Sequence, residues 1–410
     1  MTWLTATEAL RVLGVRPQTL YANVSRKKIR AKPDPKDTRR SLYHETDVRK
    51  MARQHGGQRK ATAVAAAAIE WGDPILSSAI STVVDGRLYY RGQDAVGLSE
   101  EGSLEDVARL LWGGGQLDGG DRRDDVHRHR GGDRRDGEDL RDDAAGPEVS
   151  WARDGAKSSP LQRAFLALGV RAATDLSSYG RALPVLQAEA ASVLITLADA
   201  MLKGDHPRDR AAALHSQAVA SWNRPAAADI ARRALVLLAD HELNASTFAT
   251  RVAVSTGAPL AAGVLSGLAT LSGPLHGRAS LGVLELVAGV KRAGADVTIR
   301  DWLSQGRPIA GFGHPLYPQG DPRATALMQH FTLPKPYADL RDAIEDAIGE
   351  RPNIDFALAA LTKVFDLPRE APLVLFAIGR CVGWLAHALE QVTTGHPIRP
   401  RARYVGPPIS

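Results

Sequence analysis

The chain has 410 residues, of which 44% are hydrophobic and 24% are charged, so it is long and apolar enough to bury a large core or several smaller ones. Its net charge is +6, and its single cysteine, Cys381, excludes an internal disulfide. It has no run of about 18 apolar residues and no basic start followed by an apolar core, so we expect a cytoplasmic protein without a membrane span or signal peptide.

The N-terminal segment carries the excess of positive charge. Residues 1–60 hold 15 Lys or Arg and 5 Asp or Glu, which favours an anionic partner. Apolar spacing predicts two short helices over 4–24, turn residues predict a hairpin over 33–43, and a further helix is expected from 47. This order resembles a winged helix-turn-helix of the MerR type over residues 1–56, which implies DNA as a partner. The alternative is a basic, solvated helical cap without a nucleic-acid role.

The next segments change from linker to folded structure. Residues 57–72 are expected to form a linker that enters an Ala-rich helix. Asp85 and Gly86 stand between two β-prone runs and predict a hairpin over 80–92. A capping-box pattern then predicts a helix over 103–111.

Residues 113–150 depart abruptly from the rest of the chain. They are mostly Gly, Asp and Arg with almost no large apolar residues, so we expect disorder. One hypothesis is a GC-rich segment read out of frame. Resequencing the gene tests it, since the hypothesis requires another frame that encodes an amphipathic helix. The alternative is a charged surface insertion, and no metal site is predicted at its two histidines.

From residue 160 to residue 395 the apolar spacing is helical almost throughout, with breaks at Gly and Pro. No repeat and no nucleotide-binding glycine loop occurs in the sequence. The fold class predicted is therefore mainly α. The clearest predicted helices span 161–172, 183–202, 226–243, 260–271, 281–293, 337–349, 356–364 and 373–392.

Five short motifs carry the residues suited to chemistry. His276 and His314 lie next to glycines, which allow a ring to approach a ligand closely, and Asp355 follows further along the chain. Two histidines and a carboxylate are the groups that acid–base chemistry on a carbonyl compound needs. The motifs are DHELNASTF at 240–248, GPLHG at 273–277, GFGHPLY at 311–317, DPRA at 321–324 and PNIDF at 352–356.

In order and spacing, these motifs resemble the citrate synthase family, and so does the tail over 379–404. The resemblance covers about 70–410 except the anomalous segment. It implies a citrate synthase fold with a large helical domain, a small helical domain that closes over the substrate, and a homodimer or higher oligomer. The boundaries expected are 73–276 with 376–410 for the large domain and 277–375 for the small domain.

The resemblance also implies the reaction, which is the condensation of acetyl-CoA with oxaloacetate to citrate and CoA. Asp355 would be the base, His276 would hydrogen-bond the thioester oxygen, and His314 would polarise the oxaloacetate carbonyl. No tightly bound cofactor, no metal and no membrane partner are expected. Backbone groups near CoA are implied for Gly311, Phe312 and Gly313.

The two carboxylates of oxaloacetate need positively charged or hydrogen-bonding partners. The resemblance implies His241, Arg323 and Arg380 within one subunit, because guanidinium groups suit carboxylates. It further implies Arg399 from the other subunit of a dimer, with Arg401 as the alternative in the tail.

Each assignment has a structural alternative. Asp355 follows Pro and Asn and could simply cap the next helix. His241 could belong to a local polar network, and Arg323 could be a surface charge. Arg278 follows Gly277 where the family has a small or apolar residue, which could change the affinity for the acyl-CoA or the preferred acyl group.

Other functions remain open at this level. A close variant would use propionyl-CoA and make 2-methylcitrate. A regulator would sense oxaloacetate or CoA esters with the helical body and bind DNA through residues 1–56. A third alternative is the inactive product of a damaged gene, motivated by residues 113–150.

Overall fold

The computed structural model describes residues 3–13, 20, 24, 28–35, 37–56, 76–113, 158–202, 209–274, 276–277, 279–402, 404 and 406–407. They belong to two compact units, Met1–Ser77 and Ser78–Ser410. The predictions for the linker, for residues 114–150 and for Arg278 lie outside the described residues.

The N-terminal unit contains helices α1 (Ala6–Leu13) and α2 (Glu45–Gly56), which pack together, and a small antiparallel sheet. The strand order is β1–β3–β2, from β1 (Trp3–Leu4), β2 (Ala31–Asp34) and β3 (Asp37–His44). The helix predicted near 17–24 lies outside the described residues except Leu20 and Val24. The described helices and short strands do not by themselves establish a winged helix-turn-helix. The buried core of this unit is Ala9, Leu13, Leu20, Ile29, Tyr43, Val48 and Met51.

The second unit begins with the predicted hairpin. Strands β4 (Ser81–Val84) and β5 (Arg87–Tyr90) pair antiparallel across a turn at Asp85 and Gly86, which both have positive φ. A short β6 (Gln93–Asp94) pairs with β5 and leads into α3 (Ala95–Glu101). The predicted capping box is present at the start of α4 (Leu104–Leu111), where Ser103 and Asp106 bond reciprocally.

The rest of this unit is helical, so the predicted mainly α class is confirmed. Two predicted helices, 183–202 and 260–271, have the predicted bounds. The helices are α5 (Pro160–Thr174), α6 (Leu183–Leu202), α7 (Leu214–Ser221), α8 (Ala228–Leu238), α9 (Ala245–Val254), α10 (Leu260–Leu271), α11 (Ala279–Ala293), α12 (Ala295–Ser304), α13 (Pro322–Met328), α14 (Lys335–Ile348), α15 (Ile354–Val364) and α16 (Ala371–Thr394).

Helix α16 lies at the centre of the larger core and packs against α4, α6, α8, α9, α10 and α15. Gly379 and Gly383 face the end of α8, and a Cβ at Gly383 would collide with Ala239 and Asp240. By length and composition, α6 and α16 could each cross a membrane. In α16, however, 94% of the most apolar window is buried inside the protein, as in a core helix, whereas in α6 the share is 44%.

A second hydrophobic core lies apart from the first and is built from α11, α12, α14 and α15 with the loop before α13. All of its fully buried members fall between residues 283 and 360. They are Val283, Leu286, Val287, Val290, Ile299, Phe312, Tyr337, Leu340, Ile344, Phe356, Ala359 and Ala360.

The largest difference from a predicted helix boundary lies at the end of α8. The helix expected over 226–243 ends at Leu238, and the chain then turns, with Glu242 at φ 50°. The Glu242 carboxylate accepts a hydrogen bond from the Val83 backbone N–H at 2.6 Å. Contacts with the β4–β5 hairpin therefore replace further helical turns, which apolar spacing alone could not reveal.

Candidate active site

His241 lies in the segment between α8 and α9, which is fixed at both ends. At its start, the Tyr90 hydroxyl donates to the Val236 carbonyl at 3.0 Å. At its end, Asn244 caps α9, and its Oδ1 accepts from the Ser246 backbone N–H at 3.1 Å. The intervening His241 is buried, with its Nε2 2.8 Å from the Tyr317 hydroxyl.

His276 lies in the turn between α10 and α11. Its backbone N–H donates to the Gly273 carbonyl at 3.1 Å, and Gly277 leaves no room for a Cβ beside Leu271. The ring Nε2 lies 2.9 Å from the Ser246 hydroxyl. Burial and, less strongly, Arg380 lower the pKa of His276 to about 4, so the ring is uncharged at neutral pH.

His314 follows a loop in which Gly311 and Gly313 have positive φ. Its Nδ1 accepts from the Leu316 backbone N–H at 3.2 Å, which places the proton of the neutral ring on Nε2. Burial and, less strongly, Arg323 lower the pKa of His314 to about 4. Both motif histidines are therefore neutral hydrogen-bond donors at physiological pH.

Asp355 lies in the first turn of α15, but it does not cap that helix. Asn353 is the cap, and its Oδ1 accepts from the Asp355 backbone N–H at 3.0 Å. Asp355 Oδ1 is buried without a hydrogen-bond partner among the described residues. Burial raises the pKa of Asp355 to about 7, although Arg323 acts in the opposite direction. A carboxylate with this pKa is suited to accept a proton at neutral pH.

Asn353 also joins the Asp355 helix to the His314 loop. Its Nδ2 donates to the Gly313 carbonyl at 3.0 Å, and its backbone N–H donates to the Gly311 carbonyl at 2.9 Å. The Gly313 N–H in turn donates to the Arg351 carbonyl at 2.8 Å. These bonds hold the residues that precede His314 against the residues that precede Asp355.

Two buried arginines lie near these groups in different electrostatic settings. Arg323 forms a two-bond ion pair with Asp321, with Nε 3.0 Å from Oδ1 and Nη2 2.8 Å from Oδ2. Arg380 is 1% exposed and donates from Nε to the Leu238 carbonyl at 2.9 Å. No described carboxylate lies within 4.0 Å of the Arg380 guanidinium. Burial lowers the pKa of Arg380 to about 10, although the attraction of Asp240 acts in the opposite direction, and Arg323 adds to the lowering.

The predicted residues of one subunit lie together. The His241 and His314 rings are 5.0 Å apart, centroid to centroid, and edge-on. Burial lowers the pKa of His241 well below its ordinary value, and Arg323 and Arg380 lower it further. The cluster therefore combines an uncharged donor set with two fixed cations, which suits a small dianion that carries a carbonyl group.

The comparisons with known proteins agree with this arrangement. Residues 70–401 match the sequence profile described as the citrate synthase C-terminal domain. A citrate synthase of Haloferax volcanii is 33% identical over 341 residues, which cover 78% of this chain and 90% of the relative. Citrate synthase 2 of Bacillus subtilis is 30% identical over 362 residues, which cover 81% of this chain and 93% of the relative. The chain belongs to the citrate synthase family.

The fold agrees with the family as well. The crystal structure of citrate synthase from Thermotoga maritima matches with a TM-score of 0.62 and 26% identity. The match covers 82% of this chain and 94% of the Thermotoga maritima chain. The predicted citrate synthase fold is therefore confirmed for the helical body. The protein is accordingly an enzyme of the citrate synthase type.

Arg399 was predicted to reach the site from the other subunit of a dimer. Arg399 is exposed on the tail after α16, and so is Arg401. The predicted CoA loop lies beside the site, where Phe312 is buried against Phe356 with ring centroids 5.1 Å apart. Of its backbone groups, the Gly311 carbonyl and both polar groups of Gly313 bond to residues 351–353.

Sequence reasoning missed four residues that hold the site together, although all lie within the quoted motifs. Each acts on a predicted residue through one to three hydrogen bonds. The signal that could have found them was their position three or fewer residues from another polar member of the same motif. They are Ser246, Tyr317, Asp321 and Asn353.

Proposed function

We propose that the protein condenses acetyl-CoA with oxaloacetate to give citrate and CoA, with no tightly bound cofactor. The observation that carries the proposal is the cluster of one carboxylate of raised pKa, two neutral histidines and two buried arginines. A pure sensor would need the arginines but not the base.

Asp355 removes a proton from the acetyl carbon next to the thioester. That carbon is a very weak acid, so the negative charge must be stabilised as it moves to the thioester oxygen. His276 donates a hydrogen bond to that oxygen. Donors of this type contribute about 10²–10³ in rate.

The contacts of Ser246 determine which His276 nitrogen carries the proton. Ser246 Oγ accepts from Trp384 Nε1 at 3.1 Å and donates to Asn244 Oδ1 at 2.7 Å, and His276 Nε2 lies 2.9 Å from the same hydroxyl. For His276 to donate from Nδ1 to the thioester, the Ser246 hydroxyl must turn from Asn244 Oδ1 and donate to His276 Nε2 instead. The proposed mechanism therefore includes this turn of the Ser246 hydroxyl when the substrate binds.

The resulting enolate attacks the carbonyl carbon of oxaloacetate and forms the new carbon–carbon bond. His314 donates from Nε2 to the carbonyl oxygen and transfers its proton there as the charge develops, so that this oxygen becomes the hydroxyl of the product. The product of this step is citryl-CoA. Water then cleaves its thioester and releases citrate and CoA.

The oxaloacetate carboxylates bind His241, Arg323 and Arg380, with Arg399 supplied by the partner subunit of a homodimer or higher oligomer. Arg380 supports this assignment, because its buried guanidinium hydrogen-bonds, among the described residues, only to the Leu238 carbonyl and so has donors left for an anion. Exposed apolar side chains on α5, on α6 and between them support the dimer, since such surfaces are commonly covered. They include Leu166, Leu176, Tyr179, Val185 and Ile195.

The chain divides into a large domain of residues 73–276 and 376–410 and a small domain of residues 277–375 that closes over the substrates. The separate core within residues 283–360 supports this division. Closure would bring His314 and Asp355, which lie in the small domain, to the acetyl group held beside His276.

The decisive experiment measures CoA release from acetyl-CoA and, in parallel, from propionyl-CoA, each with oxaloacetate. We expect release that requires oxaloacetate and is faster with acetyl-CoA, from a species with the mass of a dimer by light scattering. Faster release with propionyl-CoA would replace citrate by 2-methylcitrate as the product. Release with neither thioester would overturn the enzymatic proposal.

For the N-terminal unit we infer a winged helix-turn-helix that binds DNA. Lys28, Lys32 and Lys50 are exposed there, in a unit that combines two helices with the β2–β3 hairpin. We expect the full chain to bind duplex DNA with an affinity that falls steeply as salt rises. Replacing Lys28 and Lys32 by Ala should lower the salt slope. Absence of salt-dependent binding would leave the unit a structural cap.

A further inference from the structure

Tyr317 contacts three of the residues proposed to bind oxaloacetate, although it is assigned no role in the reaction above. Its ring lies 5.5 Å from that of His241 and 5.0 Å from that of His314, centroid to centroid. The Arg323 guanidinium carbon lies 5.3 Å from the centre of the same ring. Tyr317 itself is only 2% exposed, so these contacts are fixed by the surrounding packing.

The hydroxyl of Tyr317 makes one directed bond in this cluster, at 2.8 Å from His241 Nε2. Burial raises the pKa of Tyr317 to about 12, so the hydroxyl keeps its proton. Burial, and less strongly the two neighbouring arginines, lower the pKa of His241 and keep it uncharged, so its ring carries one N–H. A hydroxyl that donates to Nε2 leaves that N–H on Nδ1, and no described residue hydrogen-bonds to Nδ1.

We propose that Tyr317 is a positioning residue for oxaloacetate, whose hydroxyl fixes the orientation and tautomer of His241 so that Nδ1–H faces a substrate oxygen. This inference rests on the proposed function, because it assigns oxaloacetate as the ligand of the cluster. Tyr317 acts through His241, and the Tyr317 ring packs against the Arg323 guanidinium on one side of the cluster. Phenylalanine at this position keeps the ring but lacks the hydroxyl that fixes the tautomer of His241.

Tyr317→Phe tests the hydroxyl alone, and Tyr337→Phe is the matched control. Tyr337 is also buried and donates to the Ala359 carbonyl at 3.2 Å, in the second core. We expect Tyr317→Phe to raise the KM for oxaloacetate by about 3–10-fold, the value of one hydrogen bond, and to leave kcat and the KM for acetyl-CoA within about 2-fold. The control should change none of the three. An unchanged KM for oxaloacetate, or an equal rise in both KM values, would overturn the proposal.

A double-mutant cycle with His241→Gln separates positioning from direct contact. Oxaloacetate affinity is measured by titration calorimetry, which requires no turnover. If Tyr317 acts through His241, then Tyr317→Phe weakens binding in the wild type but not in the His241→Gln background. Effects that multiply in the double variant would show independent action and overturn the proposal.

The two inferences fail in different ways. A wild-type chain that neither binds oxaloacetate nor releases CoA would remove the proposed function. A wild-type chain that is active, with a Tyr317→Phe variant of unchanged oxaloacetate affinity, would remove only the role of Tyr317.

Discussion

Replacing Asp355 by Asn is expected to lower kcat by about 10²–10⁴-fold, the range that general-base catalysis contributes. Asn has the same size but cannot accept the proton. Oxaloacetate should still bind, because its carboxylates are assigned to His241, Arg323 and Arg380 rather than to Asp355. Steady-state CoA release gives kcat, and calorimetry gives the affinity for oxaloacetate.

Asp339→Asn is the matched control, since Asp339 is a surface residue of α14 paired with Lys335. Its kcat should equal that of the wild type. Near-normal turnover in Asp355→Asn would reassign the base. Loss of oxaloacetate binding in the same variant would instead show that Asp355 contributes to the substrate pocket.

The pH dependence of the wild type tests the same base without a substitution. Burial raises the pKa of Asp355 to about 7, so below that pH the group is a protonated acid and cannot accept a proton. The value of kcat/KM should therefore rise with pH through about 7 and level off above it. The histidines, with pKa values near 4, are neutral on both sides of this limb. A profile that is flat through pH 7 would contradict the assignment.

The side chains proposed to be catalytic could be named from the sequence because each lies in a short motif with distinctive neighbours. His276 and His314 stand beside glycines that permit tight turns, and the turns are present. Asp355 was identified too, but its raised pKa could not be, since that depends on the packing that surrounds α15. Only the fold shows that Asn353, rather than Asp355, caps the helix.

Short motifs mark these residues and their partners as polar candidates, but which residue pairs with which depends on tertiary contacts that the sequence does not show. Ser246 is 30 positions from His276, and Tyr317 is 76 positions from His241, so no local pattern links them. The end of α8, which comes earlier than predicted, also depends on a tertiary contact. Hydrogen bonds from the distant β4–β5 hairpin fix the residues that follow α8. Short helices such as α9 and α13 begin at polar caps, Asn244 and Asp321, rather than at an apolar stripe.

Replacing each of the two buried arginines by Met should change the free energy of unfolding by different amounts. In Arg323→Met, Asp321 loses its partner while it is buried, and an unpaired buried charge costs about 3–5 kcal/mol of stability. In Arg380→Met, the losses are one bond to the Leu238 carbonyl and the attraction of Asp240, and they are offset by removal of a buried cation that has no described carboxylate within 4.0 Å. The free energy of unfolding of Arg380→Met should stay within about 1 kcal/mol of the wild type.

For substrate binding the two variants should agree. Each removes a guanidinium from the proposed carboxylate sites, at a cost of at least about 2 kcal/mol, or about 30-fold in the affinity for oxaloacetate. Urea unfolding without substrate measures stability, and the rise in melting temperature with oxaloacetate measures binding. Arg380→Met should therefore be as stable as the wild type yet gain little stability from oxaloacetate. If Arg380→Met lost as much stability as Arg323→Met, then Arg380 would be a structural cation, and the capacity for an anion inferred from its single carbonyl partner would be wrong.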